Sequence, residues 1–394
     1  MSSERIPVSP DVLQWARSSA GLAPDLAAKR LAVKEETLAR WEAGALLPTI
    51  TQLRKAGKVY GRPLAVLLLP TPPRDYQPIR DFRRGSEGLL AEWSPALHKE
   101  MKRALSQREV VQEIAEISPG AVSEPVQLPL VTVQTDAETV ASALREWLEL
   151  DRVPSAVRSQ PQRLLNAVIR AVEARGVLVL QTQGVELREV RGFSITETPS
   201  VVVLNGKDWA RPRLFTLLHE LCHLATNLSG LCDLHEDRRV ETERDEIERY
   251  CNQVAAAALA PREQVFSIQA VASAGASKRW TLEELEGVSR PFGASSEAML
   301  LRLISLGKAD WDTYYLRKPE FEHQYEDARQ RERERRRAAE GGPSYYVVKA
   351  RDLGHGYIAT VLDAYEQRAI SSLDAADYLE VRFDQISKLE EAAR

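Results

Sequence analysis

The sequence lacks any apolar run long enough to span a bilayer. Its most apolar stretches, such as Pro63–Leu69 and Val254–Ala260, fall far short of the roughly 20 residues that a membrane helix needs. The opening residues, MSSERIPVSP, also lack the apolar core of a secretory signal. Cysteine is scarce. The three present, Cys222, Cys232 and Cys251, are odd in number and confined to one short stretch, which argues against a disulfide framework and for a reducing compartment. Neither sign of charge dominates: 53 Lys and Arg face 57 Asp and Glu, a net charge of −4, so there is no global field for nucleic acid, although a local basic surface is compatible with it. The expectation is a soluble cytoplasmic protein with no membrane partner.

What is present is ordinary globular composition, 44% hydrophobic and 28% charged, over 394 residues. That length accommodates two or three domains, with a core that needs no covalent staples. Residues 1–73 read as a compact helical unit. Val12, Leu13 and Ala16, then Leu26, Ala27 and Leu31, recur at helical spacing, with Gly21 and Pro24 as stop and start between them. A third helix over about Lys34–Glu42 ends at Gly44, and a fourth follows Pro48-Thr49 with Leu53, Ala56 and Tyr60. The prolines of 70–73 close the unit.

Residues 74–135 read as a linker containing a long amphipathic helix, marked by Leu90, Trp93, Leu97, Met101, Leu105, Val111 and Ile114, then an extended connector over Pro119–Pro129. Residues 136–318 form the central domain. Helices at about 137–150 and 161–175 precede three short runs rich in β-branched residues, Val177–Gln181, Arg191–Ile195 and Val201–Leu204. Helices over about Arg211–Thr226 and Asp245–Ala260 follow, and Thr281–Leu306 repeats a helix-turn-helix pattern. Residues 319–394 comprise a mixed-charge helix with a solvated surface, then a short strand (Tyr345–Lys349) and two helices.

The strongest chemical signal is His219-Glu220-Leu221-Cys222-His223. Four residues apart on a helix, the two histidines project from one face, where their imidazoles can bind one Zn²⁺. Glu220, next to the first of them, is placed to act on water as a general base rather than to bind the metal. Phe215, Leu217, Leu218, Leu221 and Leu224 wrap the same helix, so the polar trio is buried, which is costly without a metal.

Such a site needs one more protein ligand. Glu243, Asp245, Glu246 and Glu248 on the next helix, and His235 before it, are candidates. Glu248 is the best placed, because it shares the inward face with Cys251, Asn252, Ala255 and Leu259, whereas Glu243 and Glu246 face solvent. Cys222 and Cys251 read as small buried thiols behind the site.

These residues resemble a known family. Arg213-Leu-Phe-Thr-Leu-Leu-His-Glu-Leu-Cys-His223, Glu248-Arg-Tyr-Cys-Asn252, Leu259-Ala-Pro261, Arg191-Gly-Phe-Ser-Ile195 and Val201-Val-Val-Leu-Asn205 are similar to ImmA/IrrE-type zinc metallopeptidases, with a departure at Cys251, where the family usually has alanine. Ser18–Pro48, with Arg40-Trp-Glu-Ala-Gly44, resembles an XRE-type helix-turn-helix domain, and Arg62-Pro-Leu64, Leu69-Pro70, Pro72-Pro73 and Asp81-Phe-Arg83 look like the linker that often joins the two. Gly341–Leu389 looks like the usual C-terminal module.

The resemblance implies a gluzincin-like site with His219, His223 and Glu248 as ligands and Glu220 as base. It also implies a repressor or similar regulator as substrate, cut in response to DNA damage or phage-related signals. A substrate strand would add to Val201–Asn205, with Asn205 as its polar contact. The expected fold is α+β and mainly helical: an N-terminal helix-turn-helix bundle, a zincin-like core with a small sheet, and a helical C-terminal module.

For the helix-turn-helix, Lys34, Thr37 and Arg40 are the candidate DNA contacts. Glu35 and Glu36 oppose DNA, while an excess of four Lys and Arg over Asp and Glu in Met1–Arg62 weakly favours it. DNA binding and docking of a helix-turn-helix substrate protein both fit, and Leu38 and Trp41 read as core. Three functions are compatible with the whole. They are a regulator-cleaving endopeptidase, a DNA-binding regulator with a non-cleaving metal domain, and a protein-interaction module. Glu220 favours the first, because a structural zinc needs no base.

Overall fold

A computed structural model describes residues 5–20, 22–60, 62, 64–72, 94–118, 128–227, 230–232, 243–338, 342 and 344–393. The chain divides into two compact units, Met1–Ser106 and Gln107–Arg394. Among the described residues no helix is long and apolar enough to cross a membrane.

The first unit holds α1 (Pro10–Ser18), α2 (Pro24–Leu31), α3 (Glu35–Glu42), α4 (Ile50–Tyr60) and α5 (Leu64–Leu67). Pro10 and Pro24 stand at helix starts, where the missing N–H costs nothing. Thr49 and Gln52 exchange side-chain and backbone hydrogen bonds at the start of α4, at 2.8 and 3.3 Å. The apolar faces meet in one core of Leu13, Ala16, Leu31, Leu38, Trp41, Leu53 and Tyr60. Arg17 ties α1 to α3 through Glu42 at 2.7 Å. Helix α6 (Pro95–Ile117) runs through the boundary between the units; Leu90, Trp93 and most of the expected connector lie outside the described residues.

The second unit is built on a small sheet of β1 (Leu178–Thr182), β2 (Gly192–Ile195), β3 (Val201–Asn205) and β4 (Gly230–Cys232), in the order β1-β3-β2-β4. β1 runs parallel to β3, with Val179 opposite Val202. β2 is antiparallel to both β3 and β4, with Ser194 opposite Val202 and Gly230. Every residue of β1, β2 and β3 is buried, so both faces of these strands are covered. Around the sheet lie α7 (Ala137–Leu148), α8 (Ser155–Arg158), α9 (Pro161–Glu173), α10 (Ala210–Ala225) and α11 (Glu243–Leu259). Leu144, Leu165, Val172, Val202, Leu217, Leu221 and Val254 form their common core.

A second apolar cluster, centred on Trp280, Leu285, Met299 and Leu303, joins α12 (Arg262–Phe266), α13 (Gln269–Ala272), α14 (Leu282–Ser289), α15 (Ser296–Ser305) and α16 (Trp311–Ala338). The chain closes with α17 (Tyr345–Leu353), α18 (His355–Glu366), α19 (Ser372–Tyr378) and α20 (Ile386–Ala393), of which α17 and α18 pack on β1. The strand expected at Tyr345–Lys349 is therefore a helix. Ser344 caps it by accepting from Tyr346 N, and Tyr346, Ala350 and Leu353 fall on one helical face, while Tyr345 and Val347 are exposed. Intrinsic β-propensity gave way to the available packing. Gly354, at φ +87°, follows directly; a Cβ there would stand 2.6 Å from the Val179 carbonyl oxygen.

Candidate metal centre

Helix α10 is buried on almost every side, from Arg213 and Leu214 through Ala225, because it lies between the sheet and α11. His219 and His223 bring their Nε2 atoms within 3.1 Å of each other. Glu248, one and a half turns into α11, reaches them with Oε2 at 3.3 Å from His219 Nε2 and Oε1 at 3.6 Å from His223 Nε2. Four-coordinate zinc with bonds near 2.0–2.1 Å sets neighbouring ligand atoms about 3.3 Å apart, so this donor set fits the ion. His219 Nδ1 is buried without a hydrogen bond. Two imidazoles and one carboxylate are also the donor set of zinc sites that keep a coordination position open.

Of the other candidates, Glu246 is exposed; the side chains of Glu243 and Asp245, and all of His235, lie outside the described residues. Cys222 and Cys251 are fully buried cysteines in the core, in no disulfide, and the Cys232 side chain is outside the described residues.

The electrostatics follow from burial and proximity. Burial raises the Glu248 carboxyl, but hydrogen bonds and charge from His219 and His223 outweigh it and hold the group well below the usual carboxylate range. Burial disfavours a charged His219, yet Glu248 raises its basicity above the ordinary imidazole value. Glu220 is fully buried, and that burial pushes its carboxyl up against the opposing pull of His223 and His219. Neither Glu220 oxygen closes a hydrogen bond.

The framework around these groups is paired. Where α11 ends, at Pro261, Arg145 donates to Ala258 O at 2.5 Å and to Asp151. Arg302 donates to Ala260 O at 2.9 Å and to Glu138 at 2.6 Å. At the start of α10, Arg213 donates to Gln181 at 2.6 Å and Gln162 at 3.1 Å. Gly192 lets β2 approach α10: a Cβ there would stand 2.5 Å from Thr216 Cγ2 and 3.4 Å from Glu220 Oε1. Sequence reasoning gave none of these residues a role. A glycine inside a β-branched run, and an arginine inside the apolar stretch Met299–Ile304, were the signals available.

The structure places Asn205 in the interior and corrects the expectation for β3. Asn205 is 1% exposed and its amide is engaged internally: Nδ2 donates to Val185 O at 3.1 Å and Val190 O at 2.9 Å, and Oδ1 accepts from Lys207 N at 3.1 Å. It fastens the β1–β2 connection. β3, expected to receive a substrate strand, is paired on both sides, by β1 and β2, and has no open edge.

In the first unit, Lys34 precedes α3 and is exposed, Thr37 is half-buried in its first turn, and Arg40 is exposed near its end. Leu38 and Trp41 are buried in that unit's core.

Searches of curated proteins and of solved structures find no match to the chain. Residues 172–303 match the peptidase M78 family model, the IrrE N-terminal-like domain, and because this span holds His219, Glu220, His223 and Glu248, the match supports a metallopeptidase type of function for it.

Proposed function

We propose that the chain is a cytoplasmic zinc-dependent endopeptidase that cleaves a transcriptional repressor or similar regulator in response to DNA damage or phage-related signals. The observation that carries the reading is the convergence of His219, His223 and Glu248 with the unpaired carboxylate of Glu220 beside them. Zinc held there would polarise a peptide carbonyl and acidify water. Glu220 then takes a proton from the attacking water and delivers it to the leaving amine, the usual work of a positioned carboxylate. Glu248 and the two histidines contribute one negative charge and two neutral donors, which leaves the site cationic towards the developing oxyanion.

Among the described residues, β1 is packed by α17 and α18 and β4 stands at the opposite end of the strand order, so in this reading a peptide adds alongside β4. The α2–α3 pair acts as a helix-turn-helix that presents Lys34, Thr37 and Arg40, either to DNA or to a regulator of similar build. A DNA-binding regulator with a non-cleaving metal domain has no use for Glu220, which disfavours that second reading.

The test compares cells carrying the wild type or Glu220→Gln under an inducing stress such as DNA damage. Regulator fragments should accumulate in the first and fall by roughly 10²–10⁴ in rate of formation in the second, with zinc content unchanged. Equal fragment levels would sink the enzymatic reading.

A further inference from the structure

The polar surroundings of Glu220 come in part from one strand. Along β2, Gly192 and Ser194 point to one face and Phe193 and Ile195 to the other, because successive side chains alternate. The face of Gly192 is the one turned to α10, against Thr216 and the Glu220 carboxylate. Ser194, two residues on and on the same face, is 1% exposed, and its hydroxyl lies near enough to act on the Glu220 carboxyl. Ser194 Oγ and both Glu220 oxygens are nevertheless buried with no hydrogen bond closed. A buried hydroxyl facing a buried carboxylate is unfavourable while both are unpaired and favourable once the hydroxyl, free to rotate, donates.

Resting on the reading of Glu220 as general base, we propose that Ser194 is its positioning residue, donating to one carboxylate oxygen and leaving the other turned to the space between His219, His223 and Glu248. The terminal torsion of a glutamate is broad and two-fold, so a carboxylate without a fixed donor samples many orientations. A donor on β2 removes that freedom, because β2 is hydrogen-bonded on both sides, to β3 and β4. The role is orientation alone; the proton of the reaction passes through Glu220 and not through Ser194.

The experiment uses the zinc-loaded full chain and acetohydroxamic acid, a small metal-binding probe whose bound form needs an acceptor beside the metal, with binding measured by titration calorimetry. Ser194→Ala tests loss of the hydroxyl. Ser194→Thr and Ser194→Val form a second pair of nearly equal shape, of which only the threonine keeps it. Alanine and valine should weaken the probe about tenfold, the scale of one hydrogen bond to a charged group, and threonine should bind it within about twofold of wild type. All three should keep the zinc content and thermal midpoint of the wild type. If Ser194→Ala and Ser194→Val bind the probe normally while Glu220→Gln weakens it, the positioning role is overturned and the base reading stands. If Glu220→Gln also binds normally, the base reading itself fails. If the Ser194 variants lose zinc or melt early, Ser194 is a structural residue only and the proposal is wrong.

Discussion

The two halves of α11 are built on opposite rules. In the first half, Glu248 meets His219 and His223, and around them His219 Nδ1, both Glu220 oxygens and Asn252 Oδ1 are buried without a hydrogen bond. At the far end, the last carbonyls are met by Arg145 and Arg302, and each guanidinium is in turn paired with an acid, Asp151 or Glu138. Buried polar groups are nearly always paired in folded proteins, so a cluster that is not paired requires an explanation. The difference teaches which end serves stability and which is kept for a ligand.

The sharpest way to break this comparison is to remove the groups of the first half. His219→Ala, His223→Ala or Glu248→Ala should lower zinc affinity by orders of magnitude, measured by equilibrium dialysis and elemental analysis. The metal-free protein should keep most of its stability, because each change also removes the cost of burying a polar group, which offsets part of the pairing lost among Glu248, His219 and His223. Glu246→Ala, at an exposed position of the same helix, should change neither property. Wild-type affinity in Glu248→Ala would move the third ligand elsewhere.

The far end should behave in the opposite way. Arg302→Met removes the donor to Ala260 O and leaves Glu138 without its partner. Breaking a buried pair from one side costs about 3–5 kcal/mol, and the partial exposure of Glu138 places this case nearer 2–3 kcal/mol. Urea unfolding should show that loss with zinc stoichiometry unchanged. A variant that unfolds like the wild type but binds zinc poorly would erase the distinction between the two ends.

Much of the metal end was legible in the sequence because it is local. The four-residue spacing of His219 and His223 and the inward face shared by Glu248, Cys251 and Asn252 are properties of single helices, and the core positions Leu38 and Trp41 followed from the same periodicity. The long helices and the three β-branched runs were legible for the same reason. What was not legible depends on partners distant in sequence. Strand order decides that β3 is internal, and only the tertiary fold turns the Asn205 amide onto Val185 and Val190. Arg145 and Arg302 answer carbonyls more than forty residues away in the chain, which no periodicity announces. The Tyr345–Lys349 segment carries strand-like residues, yet it folds into a helix that packs on β1.

Glu173 sharpens the comparison by combining both rules in one residue. It ends α9, and its Oε1 accepts from Gly356 N at 2.9 Å, so this carboxylate caps the start of α18 and helps hold the C-terminal helices against the core. Burial nevertheless pushes its carboxyl up from 4.5 to about 7, against the lowering effects of the Gly356 and His355 backbone N–H groups and of Arg170. The folded state therefore holds the Glu173 proton more tightly than the unfolded chain. Its contribution to stability is fully present below about 4.5 and is lost as the pH rises through about 7. After allowing for relaxation around a residue that is not wholly enclosed, the loss should be on the order of 1 kcal/mol, the smallest effect considered. Urea midpoints of the wild type and Glu173→Gln, taken at intervals across that range, should diverge: the wild type falls as the pH rises, and the glutamine variant, which keeps an acceptor but no titrating group, falls less. Parallel curves would mean that the backbone donors fully offset burial, and that Glu173 belongs with the paired arginines and not with the metal centre.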